Sequence, residues 1–299
     1  MGPMSLVTIS SGDTHLTLAP HLGGTVARYW QVVRGGVFEW FRPARQSDLL
    51  GINPEAMSLF PLVPYSGLIR QGSFTFDSRR IVLPLNWLPT QHTIHGHGWQ
   101  AVWRLVDADG SQARVEYRHA ADAWPWPYTA RQSYRLDGNR LRIEMSVTNE
   151  GDRPMPAGLG PHPYFVRTPR ARILARIDKV WMSDAENLPT ELVTPAPLYD
   201  LRSGLIPSEQ AIDHIFTGWD RKAIIEWPEW NARLVMTAES PLDVLVVYTP
   251  PKQDYFCVEP VTHVADAFNL YAAGRTDTGT KLLAPGETLS VAAEFQPEV

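Results

Sequence analysis

A chain of 299 residues, 44% of them hydrophobic and 20% charged, is globular rather than disordered and long enough to bury a sizeable core. Twenty-seven Lys and Arg against 32 Asp and Glu leave a net charge of −5, which excludes the basic excess that nucleic acid or an anionic membrane surface calls for. One cysteine, Cys257, excludes an internal disulfide framework, and no apolar run reaches the length of a membrane span.

Met1-Gly2-Pro3-Met4-Ser5 lacks the basic-then-apolar pattern of a leader, so a cytoplasmic location is expected. Leu6–Ser10 and Thr14–Leu18 read as strands joined by a Ser11-Gly12-Asp13 turn, and Val26–Val33 follows as a third. Prolines and glycines interrupt Asn53–Phe76, which reads as a long shaped loop. Asp109-Gly110 links the expected strands Trp103–Val106 and Ala113–Arg118, and Asp137-Gly138-Asn139 links Thr129–Leu136 to Leu141–Val147. In that last strand Leu141, Ile143, Met145 and Val147 alternate with polar residues, the period-2 signature of a half-buried strand. Arg172–Ile177, Lys222–Trp227, Arg233–Ala238 and Val244–Tyr248 are further strands. Only Val261–Ala273 has helical spacing, with Thr262 as its cap. Pro285-Gly286-Glu287 turns the chain into a final alternating strand through Phe295. The expectation is a single all-β domain over 1–299, mainly antiparallel, with few short helices.

Four segments carry candidate chemistry. Arg70, beside the Gly72 turn, could offer paired donors to ligand hydroxyls or form a structural ion pair. Glycines around His95 and His97 allow a ligand to approach the backbone. Pro161 and Pro163 restrict the backbone about His162, which helps to aim an imidazole, and a hydrogen-bonded core or surface role is the alternative for each of these histidines. Glu259 follows an apolar run, Tyr255–Val258, where desolvation would raise its pKa towards a general base's range, with a salt-bridged structural Glu as the alternative, and Pro260 is expected to end that strand. Cys257 reads as a buried, inert thiol. A metal set of His95, His97 and His162 is the weaker reading, because no carboxylate follows His97. Eleven Trp suit either a sugar ligand or a large β core.

These segments, taken in order, resemble the aldose 1-epimerases (galactose mutarotases) almost from end to end. The likeness rests on Arg70-Gln71-Gly72-Ser73-Phe74, Ile94-His95-Gly96, His162-Pro163-Tyr164-Phe165, Ile212-Asp213-His214-Ile215-Phe216, and Val258-Glu259-Pro260 followed by Asp266-Ala267-Phe268-Asn269. The resemblance implies a galactose mutarotase-like β-supersandwich with a sugar cleft, a small-molecule sugar as partner, a monomer or homodimer, and catalysis with no metal or organic cofactor. It implies Glu259 as general base, His162 as general acid and His95 as a second site histidine. Arg70 and Asp213 fall on substrate-holding positions, although Asp213 carries no signal of its own.

His97 stands where many members have Gly. It is grouped with the substrate-holding residues, with packing against Trp99 as the alternative. The Asn that often precedes the His-Gly pair is replaced by Gln91 or His92. Glu259 and His162 are expected to meet across one pocket and grip opposite sides of a hexose ring. A hexose-6-phosphate 1-epimerase and a non-catalytic sugar-binding protein are the competing functions.

Overall fold

The computed structural model describes residues 6–50 and 53–299, so the leader reading at Met1–Ser5 lies outside the described residues. The alternating strands pair as their apolar faces dictate. Arg140–Asn149 lies antiparallel to Thr288–Glu298, with Leu141 opposite Phe295, Ile143 opposite Ala293, Met145 opposite Val291 and Val147 opposite Leu289. All eight side chains are buried, the aliphatic and aromatic ones each contributing roughly 1.5–3 kcal/mol of transfer free energy. The expected turns close where the glycines fall, with Asp137 paired to Arg140 around Gly138 (φ 59°).

Two large antiparallel sheets result. The smaller, of eight strands, runs in space Arg104–Asp109, Gln112–His119, Tyr128–Asp137, Arg140–Asn149, Thr288–Glu298, Ala232–Ala238, Lys222–Trp227 and Arg172–Ala175. The larger has eleven strands. Its path is Val7–Ser11, Thr14–Ala19, Thr25–Val33, Leu59–Leu62, Gly160–Val166, Tyr255–Val261, Val244–Tyr248, Asp213–Thr217, Lys179–Ser183 and Pro189–Val193, with Gly36–Glu39 paired to Thr25–Val33. One apolar cluster fills the space between the sheets. Phe41 meets Phe295 edge-on at 5.1 Å, and the Tyr29 hydroxyl donates to the Asn139 carbonyl at 2.7 Å.

Three expectations are corrected. Asn53–Phe76 is not loop throughout, because Leu59–Leu62 is an inner strand of the larger sheet. Pro61 is tolerated there because it lies opposite Pro161, so two residues lacking N–H share one rung. Pro260 does not end its strand, which continues to Val261 with Pro260 opposite Leu245. The helix is shorter than its spacing suggested, Ala267–Ala272. Val261 is still paired in the sheet, and the Thr262 hydroxyl, rather than capping a helix, accepts from the Leu159 N–H at 3.0 Å.

Candidate active site

Strand register builds the floor of the site. Gly160–Val166 pairs with Tyr255–Val261 so that Tyr164 faces Cys257. Two residues further along, the same register brings His162 opposite Glu259. His162 also faces Phe60 on the next strand, Glu259 faces Val246, and Val246 faces Ile215. A row of side chains, Phe60–His162–Glu259–Val246–Ile215, therefore crosses five strands on one face, and all five line a cavity of about 390 Å³. A neighbouring row sets Tyr164, Tyr248 and Asp213 on the same face. Odd and even positions divide the labour, since Phe165, Phe256 and Val258 point to the core between the sheets.

His162 Nε2 and Glu259 Oε1 stand 3.2 Å apart, and the two residues are only 6% and 3% exposed. The imidazole is stacked between Phe60 and Tyr164, at centroid distances of 4.3 and 5.0 Å, and its buried Nδ1 has no hydrogen-bond partner. Burial, reinforced by the Asp213 carboxylate, holds Glu259 well above the usual carboxylate range. Burial, reinforced by His95, holds His162 well below the imidazole range. Both shifts oppose a net charge, so the pair holds one proton between carboxylate and imidazole. Asp213 is partly open to the cavity, yet its low-dielectric surroundings raise its carboxyl to about 6.

His95 closes the cavity from above. Its backbone is left-handed (φ 62°), an unusual state for a residue with a side chain. Gly96 must lack one, because a Cβ there would lie 2.1 Å from the Val63 carbonyl oxygen. The Gly67 N–H donates to His95 Nδ1 at 3.1 Å, so the ring's proton sits on Nε2, and burial lowers its pKa to about 3. His95 is thus a neutral hydrogen-bond donor on the cavity wall. Asn86, which sequence reasoning missed, holds this turn. Its amide N–H groups donate to the carbonyls of Ile94 (2.7 Å) and Gly96 (2.8 Å), and its oxygen accepts from the Ile94 N–H and the Thr93 hydroxyl. The signal for it lay further upstream than Gln91 or His92.

Two expected site residues are placed elsewhere. Arg70 is set back from the cavity floor, its guanidinium between the carboxylates of Asp184 and Asp266, each at 3.6 Å, beside the rim hairpin that carries Ser183 and Glu186. The ion-pair alternative is the observed one. His97 also lies off the lining: its Nε2 is 2.8 Å from the Tyr128 hydroxyl, and its ring is 4.3 Å from that of His119. It packs, but against those residues rather than Trp99, and it converges with neither His95 nor His162 as a metal set would require. Most Trp residues are core, Trp40, Trp99, Trp124, Trp181 and Trp227 being fully buried, whereas Trp87 is 38% exposed and lines the cavity.

A second concavity, about 450 Å³, lies on the outer face of the smaller sheet. Its Arg and Glu side chains pair with one another, as Arg131 does with Glu116 and Arg142 with Glu144, so it reads as a solvated charged face.

A family model for aldose 1-epimerase matches residues 5–296. The chain belongs to the aldose 1-epimerase family. Among curated proteins it is 28% identical over 303 residues to the uncharacterized protein YphB of Escherichia coli (strain K12), covering 95% of this chain and 96% of that one. Among solved structures it resembles a candidate aldose 1-epimerase from Escherichia coli K12 (TM-score 0.88, 26% identity, 99% of both chains). It is also similar to a galactose mutarotase-like protein from Clostridium acetobutylicum (TM-score 0.87, 22% identity, 98% and 95% of the two chains). The fold is galactose mutarotase-like, as the sequence resemblance implied. Among the described residues no helix is long and apolar enough to cross a membrane.

Proposed function

We propose that this protein is an aldose 1-epimerase that interconverts the α and β anomers of a free aldohexose by opening and reclosing the ring. The observation that carries the reading is the buried His162–Glu259 contact on the cavity floor. Ring opening takes a proton from the C1 hydroxyl and gives one to the ring oxygen. Both oxygens are bonded to C1, so an acid and a base in mutual contact can serve the two at one edge of the sugar. This replaces the expectation of groups on opposite sides of the ring.

In the reactive state Glu259 is a carboxylate and His162 an imidazolium. Glu259 takes the O1 proton, His162 delivers its proton to the ring oxygen, and the C1–O5 bond breaks to leave the open aldehyde. The pair is then a carboxylic acid beside a neutral imidazole. It still holds one proton, so its net charge is zero at both ends of the step. After rotation about C1–C2, reversed transfers close the ring as the other anomer. His95 Nε2–H and Asp213 are suited to hold the ring oxygen or the hydroxyls.

The lining favours an uncharged sugar. Among the described lining residues Glu55, Glu186, Asp213 and Glu259 contribute carboxyls and none is a Lys or Arg, so a phosphate finds no counter-charge on the floor, and Arg70 at the rim is already paired with Asp184 and Asp266. The test is anomer exchange by polarimetry or exchange NMR. Glu259→Gln and His162→Asn should each slow exchange by roughly 10²–10⁴-fold. Glucose should be turned over in preference to glucose 6-phosphate. Near-wild-type exchange in either variant removes that residue from its role, and saturable sugar binding with no exchange replaces the enzyme with a binding protein.

A further inference from the structure

The register that joins His162 to Glu259 brings a third group to the same place. Cys257 precedes Glu259 by two residues on one strand, so both side chains leave the same face, and Cys257 lies opposite Tyr164, the next same-face residue after His162. An imidazole nitrogen, a thiol sulfur and a carboxylate oxygen converge, all within 4.8 Å of one another and all from buried residues. The general acid–base reading uses only two of them.

We propose that His162, Cys257 and Glu259 form a binding site for a thiophilic divalent cation, with Zn²⁺ the best fit, reached through the sugar cavity. Donor chemistry selects the ion. One nitrogen, one sulfur and one oxygen suit Zn²⁺, which takes such sets with a fourth position left open, whereas Mg²⁺ and Ca²⁺ demand oxygen. His162 and Glu259 are separated by 3.2 Å, close to the about 3.3 Å between two ligands each about 2.0 Å from a tetrahedral ion, and the Cys257 sulfur lies within 4.8 Å of both. The fourth position faces the cavity, since His162 and Glu259 both line it.

Charge balance also permits occupancy of a buried place. Without metal the site holds two protons, one on the thiol and one shared by the pair, and is uncharged. Binding Zn²⁺ releases both protons and leaves a thiolate, a carboxylate and a neutral imidazole around a dication, again with zero net charge. Burial therefore opposes neither state. An occupied site has no proton to give and no free carboxylate to take one. Zn²⁺ and anomer exchange are then mutually exclusive, a consequence that rests on the function proposed above, whereas the binding itself does not.

The experiment uses Co²⁺ as a spectroscopic probe on the intact, chelator-treated protein in the absence of sugar. Cys257 is the chain's sole cysteine, so any thiolate-to-cobalt absorption in the near ultraviolet reports on this site alone. The expected result is one Co²⁺ per chain with that band and the visible absorption of a tetrahedral ion, both abolished when Zn²⁺ displaces it. Cys257→Ala should lose the band, and it and His162→Asn should each weaken binding by at least about 10-fold. Cys257→Ser serves if the alanine variant fails to fold, as judged by far-ultraviolet circular dichroism. Absence of stoichiometric Co²⁺, or Co²⁺ affinity unchanged in the folded Cys257 variant, overturns the site. A parallel assay measures anomer exchange with Zn²⁺ and then with EDTA, and reversible inhibition is expected. Cobalt binding without exchange on any aldose sinks the proposed function and leaves the metal site standing. Exchange without cobalt binding does the reverse.

Discussion

Replacing Asp213 with Asn removes one negative charge from the cavity wall while keeping the side chain's size. On the proposed mechanism the wild-type reactive state of His162 and Glu259 holds one proton. Activity falls at low pH when a second proton adds, and at high pH when the shared proton leaves. Each departure leaves a net charge in a buried place, so burial pushes the acid limb down and the alkaline limb up. Asp213 is ionised above about pH 6, and its charge makes loss of the shared proton harder still. Two strand spacings and one pleat separate it from Glu259 in the sheet, on the order of 10 Å. At an effective dielectric constant of about 20, that charge is worth ~1.7 kcal/mol, or about 1 pH unit.

Asp213→Asn should therefore lower the alkaline limb of kcat/KM by about 1 unit. The acid limb should stay in place, because below about 6 the wild-type carboxyl is already neutral. The profile is read by exchange NMR, with spontaneous mutarotation subtracted at each pH. A loss of amplitude alone would make Asp213 a sugar-holding group with no influence on the pair. Limbs that shift equally would show that the proton count assigned to His162 and Glu259 is wrong.

Three other substitutions probe the walls and the frame. Trp87→Ala should raise KM by about 10-fold with kcat little changed, because an aromatic face on the cavity wall binds ground and transition states alike. A selective fall in kcat would contradict this. Asn86→Ala removes four hydrogen bonds around the left-handed His95, and kcat should fall by roughly 10–100-fold while the far-ultraviolet circular dichroism is unchanged. If KM rises and kcat holds, His95 binds the sugar without assisting its opening. Gly158→Ala would place a Cβ 1.9 Å from His263 Cδ2, and His263 accepts the Ser66 N–H, so urea unfolding should show a loss of about 1–3 kcal/mol.

How much of this was legible in the sequence depends on the range of the forces involved. Alternation at Leu141–Val147 and Leu289–Phe295 is local, and it gave strands and buried faces that the pairing respects. The Gly138 turn was local too. Leu59–Leu62 was illegible because Pro61 is compatible with a sheet only once Pro161 is known to lie opposite. Val261–Ala273 looked helical because spacing ignores that Val261 is already paired. The proline frame drew attention to His162 and the apolar run to Glu259, but each also fitted a structural role, and only the family resemblance paired them. Their contact required a register between strands almost a hundred residues apart, which no local pattern encodes. The partners of the Arg70 ion pair were illegible for the same reason, since Asp184 and Asp266 are remote in sequence. Asn86 was passed over because the Asn expected before the His-Gly pair was sought at Gln91 or His92, closer to it. A polar residue in a loop is ordinary until its four partners are counted.

The floor and the rim of the cavity are held by different means, and this bears on which sugar is taken. His162, Glu259 and Asp213 sit at fixed positions on neighbouring strands, and a slip of one residue in the register would turn any of them into the core. The proposed chemistry is therefore tied to the strand register. The rim is made of turns instead. Ser183, Glu186 and Asn187 line it from the hairpin between Lys179–Ser183 and Pro189–Val193, and Trp87 and Thr90 line it from the segment before His95. That hairpin is braced to the rest of the rim by two long polar contacts, the Arg70–Asp184 ion pair and His92 Nε2 with the Glu186 carboxylate, each at 3.6 Å. Such contacts are weak at a surface and tolerate substitution. Exchanging rim residues should then change the ratio of kcat/KM between aldoses while leaving the two pH limbs in place. Substitutions on the floor should move the limbs for every sugar alike. A rim variant that shifted the limbs would show that the two layers are not independent.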